Sequence, residues 1–517
     1  MLADSSCPIC GEGHWDYLFI VRGLTVVRCN GCGLVSLTSA EQVGRVVSLP
    51  GAENAHIVPT NTLDDKTERQ AAQQYLRVLS KTGAALDRLL LIAPEDHPFA
   101  EEARLAGYQL AAHVSIDRLD THQFAEEALN SCVIIYQLEQ AQALARALEI
   151  IWTGLKQNGV LIVMTPCLDA WPARFFGSQW TEWRPENHYY FSTESIQALL
   201  LRFGFEHVWL RPDRRSYTLE HIYRRAAAFP ASFLTRSISA LYRFTPPGLR
   251  HRQLTLTSSG LIVTAHRTSR RLRPLVSIIV PAYNEAPTFQ TLMDALLAKQ
   301  LSGADKEIII VESNSQDNTR ELARRYADHP EVRLILQDRP RGKGNAVRAG
   351  LDLARGDVIM IQDADLEYDL NDYGALLEPA LSGRAMFVLG ARHGGAWKMR
   401  QFTEQPARAT FLNFGHVLFT TLLNLIYGGH MRDPFTMFKV FRRDCLYRVR
   451  LECNRFDFDF ELVGKLLRKG YRPLEVSVNY RSRSFREGKK VSLFRDPITW
   501  IRALVKYRIR SPYVDEE

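Results

Sequence analysis

Three stretches in the second half of the chain share one pattern: an apolar run that stops abruptly at polar and acidic residues. Val276-Ser-Ile-Ile-Val-Pro-Ala-Tyr-Asn-Glu285 is one, KEIIIVESNSQDNT (306–319) the second, and GDVIMIQDADLEYD (356–369) the third. Continuous apolar runs of this length read as buried strands, and polar groups at their tips predict a ligand crevice along one sheet edge. Between the last two lies RPRGKGNAVRAGLDLARG (339–356), a basic glycine loop leading into a helix. Further upstream the same alternation recurs. RLLLIAP (88–94), YQLAAHVS (108–115), CVIIYQL (132–138), VLIVMTP (160–166) and SGLIVTAHR (259–267) read as strands. FAEEARLAGYQ reads as a helix and turn, and AQALARALEIIWTGLKQNG (141–159) as an amphipathic helix with a glycine stop. Alternating strands and helices predict α/β architecture with parallel sheets.

Three segments follow from these patterns: a ribbon at 1–40, a middle segment at 60–268, and a last segment at 275–517 reached through the basic stretch HRTSRRLRP (266–274). The formal net charge of +8 and pI of about 9.0 suit phosphate-bearing ligands or an anionic membrane face. No nucleic-acid motif accompanies that charge. The polar, acidic start lacks the basic-then-apolar order of a signal peptide, so a cytoplasmic chain is expected, peripheral on the inner membrane face. No apolar stretch reaches the ~20 residues of a spanning helix. The closest, FLNFGHVLFTTLLNLIYGG (411–429), is broken by Asn413, His416 and Asn424 and reads as a helix lying at a membrane surface or in the core.

Four of the eight cysteines stand in pairs, Cys7-Pro-Ile-Cys10-Gly and Cys29-Asn-Gly-Cys32-Gly. The spacing fits a closed, structural four-sulfur zinc site, with a glycine after each pair to let the knuckle turn; two disulfides are the competing reading. His14 reads as a surface histidine, and Cys132, Cys167, Cys445 and Cys453 as plain core or surface residues.

The ribbon followed by LKQNGVLIVMTP, ENHYYFS and LLLRFGF resembles the zinc-ribbon subgroup of class I S-adenosylmethionine methyltransferases over about residues 7–268. That resemblance implies a Rossmann-like domain. It fails where the methyl donor binds, because the first strand runs into Leu91-Ile-Ala-Pro-Glu-Asp-His-Pro98 without a glycine. Ala112-His113 stands where an acid usually holds the ribose, with Asp117 and Asp120 beyond it. S-adenosylmethionine is therefore not expected to bind, and His188 reads as structural.

The last segment carries, in order, SIIVPAYNE, VESNSQDNT, RGKGNAVRAGL, QDADLEYD, GARHGG, RDPFTMFKVFRR, FDFDFELVGKLLRKGYRPLEVSVNY and RSRSFREGKK. This series resembles the family 2 glycosyltransferases of the polyprenyl-phosphate type, such as dolichyl-phosphate mannose synthase. The resemblance implies a GT-A fold and an inverting transfer of sugar from a nucleotide donor, GDP- or UDP-linked. It implies Mg²⁺ or Mn²⁺ on Asp363 and Asp365, with Glu367 as a third ligand where relatives often have glutamine. By the same resemblance Pro281, Tyr283, Glu285 and Glu312 hold the nucleotide, Lys343 its phosphates, and Asp317 organises a loop. A phosphate acceptor is already largely anionic at pH 7 and needs cations rather than a base. Arg392, Arg400, Arg408, Arg481, Arg483, Arg486, Lys489 and Lys490 are available; Arg392, Arg408, Arg483 and Lys489 are the contacts expected by motif position. Asp459 or Asp433 would serve as a base for a hydroxyl acceptor, and Phe456 and Phe458 read as packing residues. The expectation is thus a glycosyltransferase acting on a polyprenyl phosphate at a membrane face. The alternatives are the same enzyme with a soluble glycan or small-molecule acceptor, an enzyme that also methylates its product, and a non-catalytic assembly protein. The sequence does not give the oligomeric state.

Overall fold

The computed structural model describes residues 6–21, 23–39, 65–122, 124–220, 222–223, 233–250, 252–268, 273–392, 406–481 and 495–513. The chain divides into two units, Met1–Ser269 and Arg270–Glu517.

In the first unit, strands β1 (Trp15–Val21), β2 (Leu24–Cys29) and β3 (Val35–Ser39) form an antiparallel ribbon. A fourth strand, β8 (Tyr189–Tyr190), joins it from the middle segment by pairing with β3. The sheet of the ribbon therefore extends beyond the first 40 residues. Trp180, Trp183 and Tyr190 pack with Val21, Val26, Val35 and Leu37 in one core. The Trp183 and Tyr190 rings lie 4.4 Å apart. Both indole N–H groups are satisfied, Trp180 by Ser259 Oγ at 3.1 Å and Trp183 by the Gly177 carbonyl at 2.9 Å. His188 contributes its main chain: its N–H donates to the Glu139 carbonyl and its carbonyl accepts from Leu37 N–H and Ser36 Oγ. The NHYYFS segment thus welds the ribbon to the larger sheet.

That sheet has the order β5-β4-β6-β7-β10-β9. β4 (Leu89–Ile92), β5 (Leu110–Val114), β6 (Leu129–Ile135) and β7 (Leu155–Pro166) are parallel. β10 (Gln253–Arg267) is antiparallel to both β7 and β9 (Phe205–Thr218). The parallel sheet expected for this segment is present in β5, β4, β6 and β7, and β10 and β9 extend it through antiparallel pairs. β9 escapes a period-two reading because its pairing slips at two places, and His207 within it takes φ +55°. The helix expected to stop at Gly159 ends at Gly154 instead, and Asn158 (φ +62°) and Gly159 lie inside β7. The helix Asp65–Lys81 buries Ala72, Tyr75 and Leu79 against Leu89, Leu91, Val133 and Ile162.

In the second unit a seven-stranded sheet has the order β13-β12-β11-β14-β16-β15-β17. β11 (Leu275–Ala282), β12 (Asp305–Glu312), β13 (Val332–Leu336) and β14 (Val358–Ile361) are mutually parallel. β16 (Lys439–Arg442) runs antiparallel between β14 and β15 (Phe387–Ala391), and β17 (Leu474–Ser477) is parallel to β15. The carboxyl ends of β11, β12, β14, β15 and β17, with the amino end of β16, therefore face one edge. Among the described residues no helix is long and apolar enough to cross a membrane.

Glu139 offers a test of the weld in the first unit. It is fully buried, accepts from Thr165 Oγ1 at 3.0 Å, and burial pushes its carboxyl up to about 8. Between the ordinary glutamate value and 8 the unfolded chain ionises while the folded chain keeps the proton, so stability falls as pH rises through that window. Glu139→Gln removes this slope. Thermal melts should show the variant gaining on the wild type from pH 5 to pH 8; a constant difference would show that Glu139 is charged in the fold.

Candidate active site and metal centre

The four paired cysteines are free thiols whose sulfurs lie within 4.8 Å of one another. Cys7 and Cys32 are 3.4 Å apart, as are Cys10 and Cys29. A tetrahedral ion with sulfur at ~2.3 Å sets its ligands roughly 3.8 Å apart, so this donor set fits a closed zinc site. The two knuckles are alike. Gly11 N–H donates to the Cys7 carbonyl and Gly33 N–H to the Cys29 carbonyl, and both glycines have φ near +76°. His14 is no ligand: its Nδ1 lies 2.8 Å from Glu12 and its side chain is exposed.

In the second unit the strand-end loops are tied to each other before any ligand is considered. After β11, Asn284 N–H donates to Ser315 Oγ (2.9 Å) and Ala286 N–H to Asp317 (3.0 Å). Asp317 also accepts from Thr319 N–H at 3.0 Å. Burial alone would raise the Asp317 carboxyl, but these donors hold it below the usual range. Thr288 Oγ1 donates to the Ala364 carbonyl at 3.1 Å, which fixes the Asp-Ala-Asp tip to the first loop. Below the tip, Tyr373 Oη donates to Gln362, whose amide donates to the Asp363 carbonyl.

Three acid–cation pairs occupy the edge. The Lys343 ammonium contacts Asp363. Burial opposes its charge, but Asp363, then Asp459 and Asp365, outweigh that and raise its pKa. Lys343 opens the helix Lys343–Leu353, whose start is fixed by glycines. Gly342 has φ +98°, and a Cβ there would meet the Asn454 carbonyl at 2.4 Å; one at Gly344 would meet Phe458 at 2.7 Å. Lys439, fully buried at the start of β16 opposite Ile361, lies 2.7 Å from Asp459. Burial raises the Asp459 carboxyl, with Lys439 and Lys343 pulling against it. Arg392, just past β15, grips Asp433 with Nε at 2.8 Å and Nη2 at 2.7 Å. Burial would raise Asp433, but the guanidinium, then His416, hold it well below the usual carboxylate range. Its backbone N–H donates to Glu475 at 2.7 Å.

Several expected contacts lie elsewhere. Glu367 does not converge with Asp363 and Asp365: the cysteines form the one group of three or more acid, His or Cys ligands within reach of one ion among the described residues. The Glu367 carboxylate accepts instead from Tyr480 Oη at 3.0 Å. Glu312 is fully buried, with Arg320 Nε at 2.9 Å and Ser315 N–H at 2.6 Å, so it braces its loop. The Arg392 fork expected to meet an acceptor phosphate is turned onto Asp433. Pro281 and Tyr283 are half-buried at the end of β11, and Glu285 is buried with its N–H donating to Thr319. Arg408 stands on the helix Pro406–Tyr427, but its side chain lies outside the described residues, as do Arg400, Arg483, Arg486, Lys489 and Lys490. Lys439 is the buried cation of this edge that the sequence reading missed. Its only local signal is a lysine opening an apolar run, and its meaning depends on pairing with β14.

The carboxylates of Asp363 and Asp365 are hard oxygen donors that would fit a Mg²⁺ completed by substrate phosphates. A sheet with this edge, an Asp-x-Asp tip and an inserted antiparallel strand is GT-A-like. Residues 277–450 match the family model described as Glycosyl transferase family 2. The chain is 28% identical over 248 residues to Glycosyltransferase AglD of Haloferax volcanii, covering 45% of this chain and 38% of that protein. It is 29% identical over 209 residues to the dolichyl-phosphate beta-glucosyltransferase of Homo sapiens, covering 36% of this chain and 61% of that protein. It thus spans less than two thirds of either relative. Glucosyl-3-phosphoglycerate synthase from Mycobacterium tuberculosis, solved with Mn²⁺, UDP and its product, matches 45% of this chain and 80% of its own at 19% identity and a TM-score of 0.33.

The Arg392–Asp433 pair yields a stability test. A depressed carboxylate contributes stability above the unfolded pKa and loses it as pH falls toward its own value, so this clamp is intact at neutral pH. Arg392→Ala should cost about 3–5 kcal/mol in urea unfolding at pH 7, because it strands a buried charge. Adding Asp433→Ala should recover part of that loss. A single-variant effect within about 0.5 kcal/mol would mean the pair is dispensable.

Proposed function

We propose that the second unit is an inverting, metal-dependent glycosyltransferase that moves a sugar from a nucleotide donor to a polyprenyl phosphate at a membrane surface. The observation that carries this reading is the Asp363-Ala-Asp365 tip, with the Lys343 ammonium beside it, at the carboxyl edge of a family 2 domain. A bound Mg²⁺ or Mn²⁺ on Asp363 and Asp365 would supply charge stabilisation for the departing nucleoside diphosphate. Lys343 and the helix it opens place further positive charge at the same edge. Pro281, Tyr283 and Glu285 border the place for the nucleotide, from a GDP- or UDP-linked donor.

The acceptor assignment rests on three supports. A phosphate oxygen needs no base, and the nearest candidate base, Asp459, is engaged by Lys439. The relatives include proteins named for dolichyl phosphate. The helices Pro406–Tyr427 and Arg495–Ile509 pack together and leave apolar side chains outward, among them Phe414, Leu418, Ile498, Ile501, Val505 and Ile509. Spacings of three and four put the last four on one stripe, as on a helix that lies in a bilayer interface. Arg408, Arg483 and Lys489 remain the proposed phosphate contacts. For the first unit we propose a zinc-stabilised scaffold without a methyl donor, since the turn Ala93–Pro98 carries two prolines and a half-buried His97 in place of glycine.

Incubation of the full chain with Mg²⁺ or Mn²⁺, UDP- and GDP-sugars and a short polyprenyl phosphate should yield a lipid-phospho-sugar of inverted anomeric configuration. Asp365→Ala should lower turnover at least about a hundredfold. Metal-dependent donor hydrolysis indifferent to the lipid would refute the lipid acceptor and direct the search to soluble glycans.

A further inference from the structure

From Glu220 to Glu285 the sequence has no acidic residue between these two, yet it carries ten arginines, at 224, 225, 236, 243, 250, 252, 267, 270, 271 and 273. Ten exceeds the whole chain's net charge of +8, so the remainder of the protein is slightly acidic. The basic excess is therefore local, and most of it falls in the connection between β9 and β10 of the first unit.

The structure gives that connection a shape. Beyond the sheet, β9 and β10 continue as a two-stranded arm, in which Tyr217 pairs with Leu254 and Arg215 with Leu256. The arm leads to the helix Phe233–Phe244, held by Tyr242, whose ring stacks on Tyr223 at 4.2 Å and whose hydroxyl meets Glu220. The Arg250 guanidinium lies over the Tyr242 ring, 4.4 Å from its centroid. Leu241 (57%), Phe244 (88%), Leu249 (51%), Leu254 and Leu256 (43% each) are exposed, beside exposed Arg243 and Arg252.

We propose that this arm is a contact site for an anionic phospholipid surface, belonging to the first unit and separate from the apolar helix pair of the second. Scattered apolar side chains with interleaved arginines, and no carboxylate except Glu220, which Tyr242 engages, match an interface in which the former enter the acyl boundary and the latter meet headgroup phosphates. A nucleic acid would use the arginines but gain nothing from five exposed leucine and phenylalanine side chains. The inference uses no residue of the glycosyltransferase site and stands or falls apart from the function proposed above.

Flotation of the full chain with phosphatidylcholine vesicles, with and without phosphatidylglycerol, tests it. Because the second unit's helices offer a competing apolar surface, the parent protein carries Ile501→Glu and Val505→Glu. This parent should float with phosphatidylglycerol vesicles at low salt and not with phosphatidylcholine alone. Adding Arg243→Glu and Arg252→Glu should weaken flotation about tenfold or more, and Phe244→Ser with Leu241→Ser should weaken it independently. Both pairs are exposed, and circular dichroism at the parent's melting temperature checks the fold. Flotation equal to the parent's in both variant pairs overturns the proposal. So does equal binding to neutral vesicles, or arginine-dependent retention on duplex RNA with unchanged flotation.

Discussion

Carboxylates crowded at one sheet edge must be neutralised, and how that is done ties together the elements of that edge. Asp363, Asp459 and Asp433 are each matched by one cation: Lys343, Lys439 and Arg392. The three cations come from three different elements, a helix start, the inserted strand β16 and the end of β15. Each pair therefore also fixes where an element ends. Arg392 and Asp433 form the rigid part, since a two-point fork at a buried site leaves little freedom. Lys343 is the adjustable part, as a single ammonium on a flexible stem whose partner is also the expected metal ligand. In the proposed function Asp363 would hold a divalent ion, which would free the Lys343 ammonium for the phosphates of the donor.

Much of this was legible in the sequence, for a physical reason. β11, β12 and β14 are buried on both faces, so they appear as unbroken apolar runs, and their polar tips mark the ligand edge directly. The glycines of RGKGNAVRAGL were legible as a loop, although their packing against Asn454 and Phe458 was not. The pairings were hidden because they are long-range. Nothing local indicates that Lys439 faces Asp459, that Arg392 is taken by Asp433, or that Glu367 turns to Tyr480. Motif position alone assigned Arg392 and Glu312 to ligands, and the fold gives both carboxylate–guanidinium bracing instead.

The first unit shows the same division. Its CxxC pairs and parallel strands were plain, while β9 was hidden by register slips and by a mixed run of arginines and Asp213. Asp213 is buried against Tyr75, Tyr136 and Arg215, a polar cluster that interrupts the alternation expected of a strand. Trp180, Trp183 and Tyr190 are the packing that holds the ribbon on the sheet.

The most direct measurement is calorimetric titration of the full chain with UDP and with GDP, with and without Mn²⁺, for the wild type and Asp363→Asn. Nucleotide binding should require the metal for at least one of the two nucleotides, and the variant should lose that requirement together with most of its affinity. Nucleotide binding that ignores Mn²⁺, or that survives unchanged in Asp363→Asn, would contradict a metal-held diphosphate at this edge.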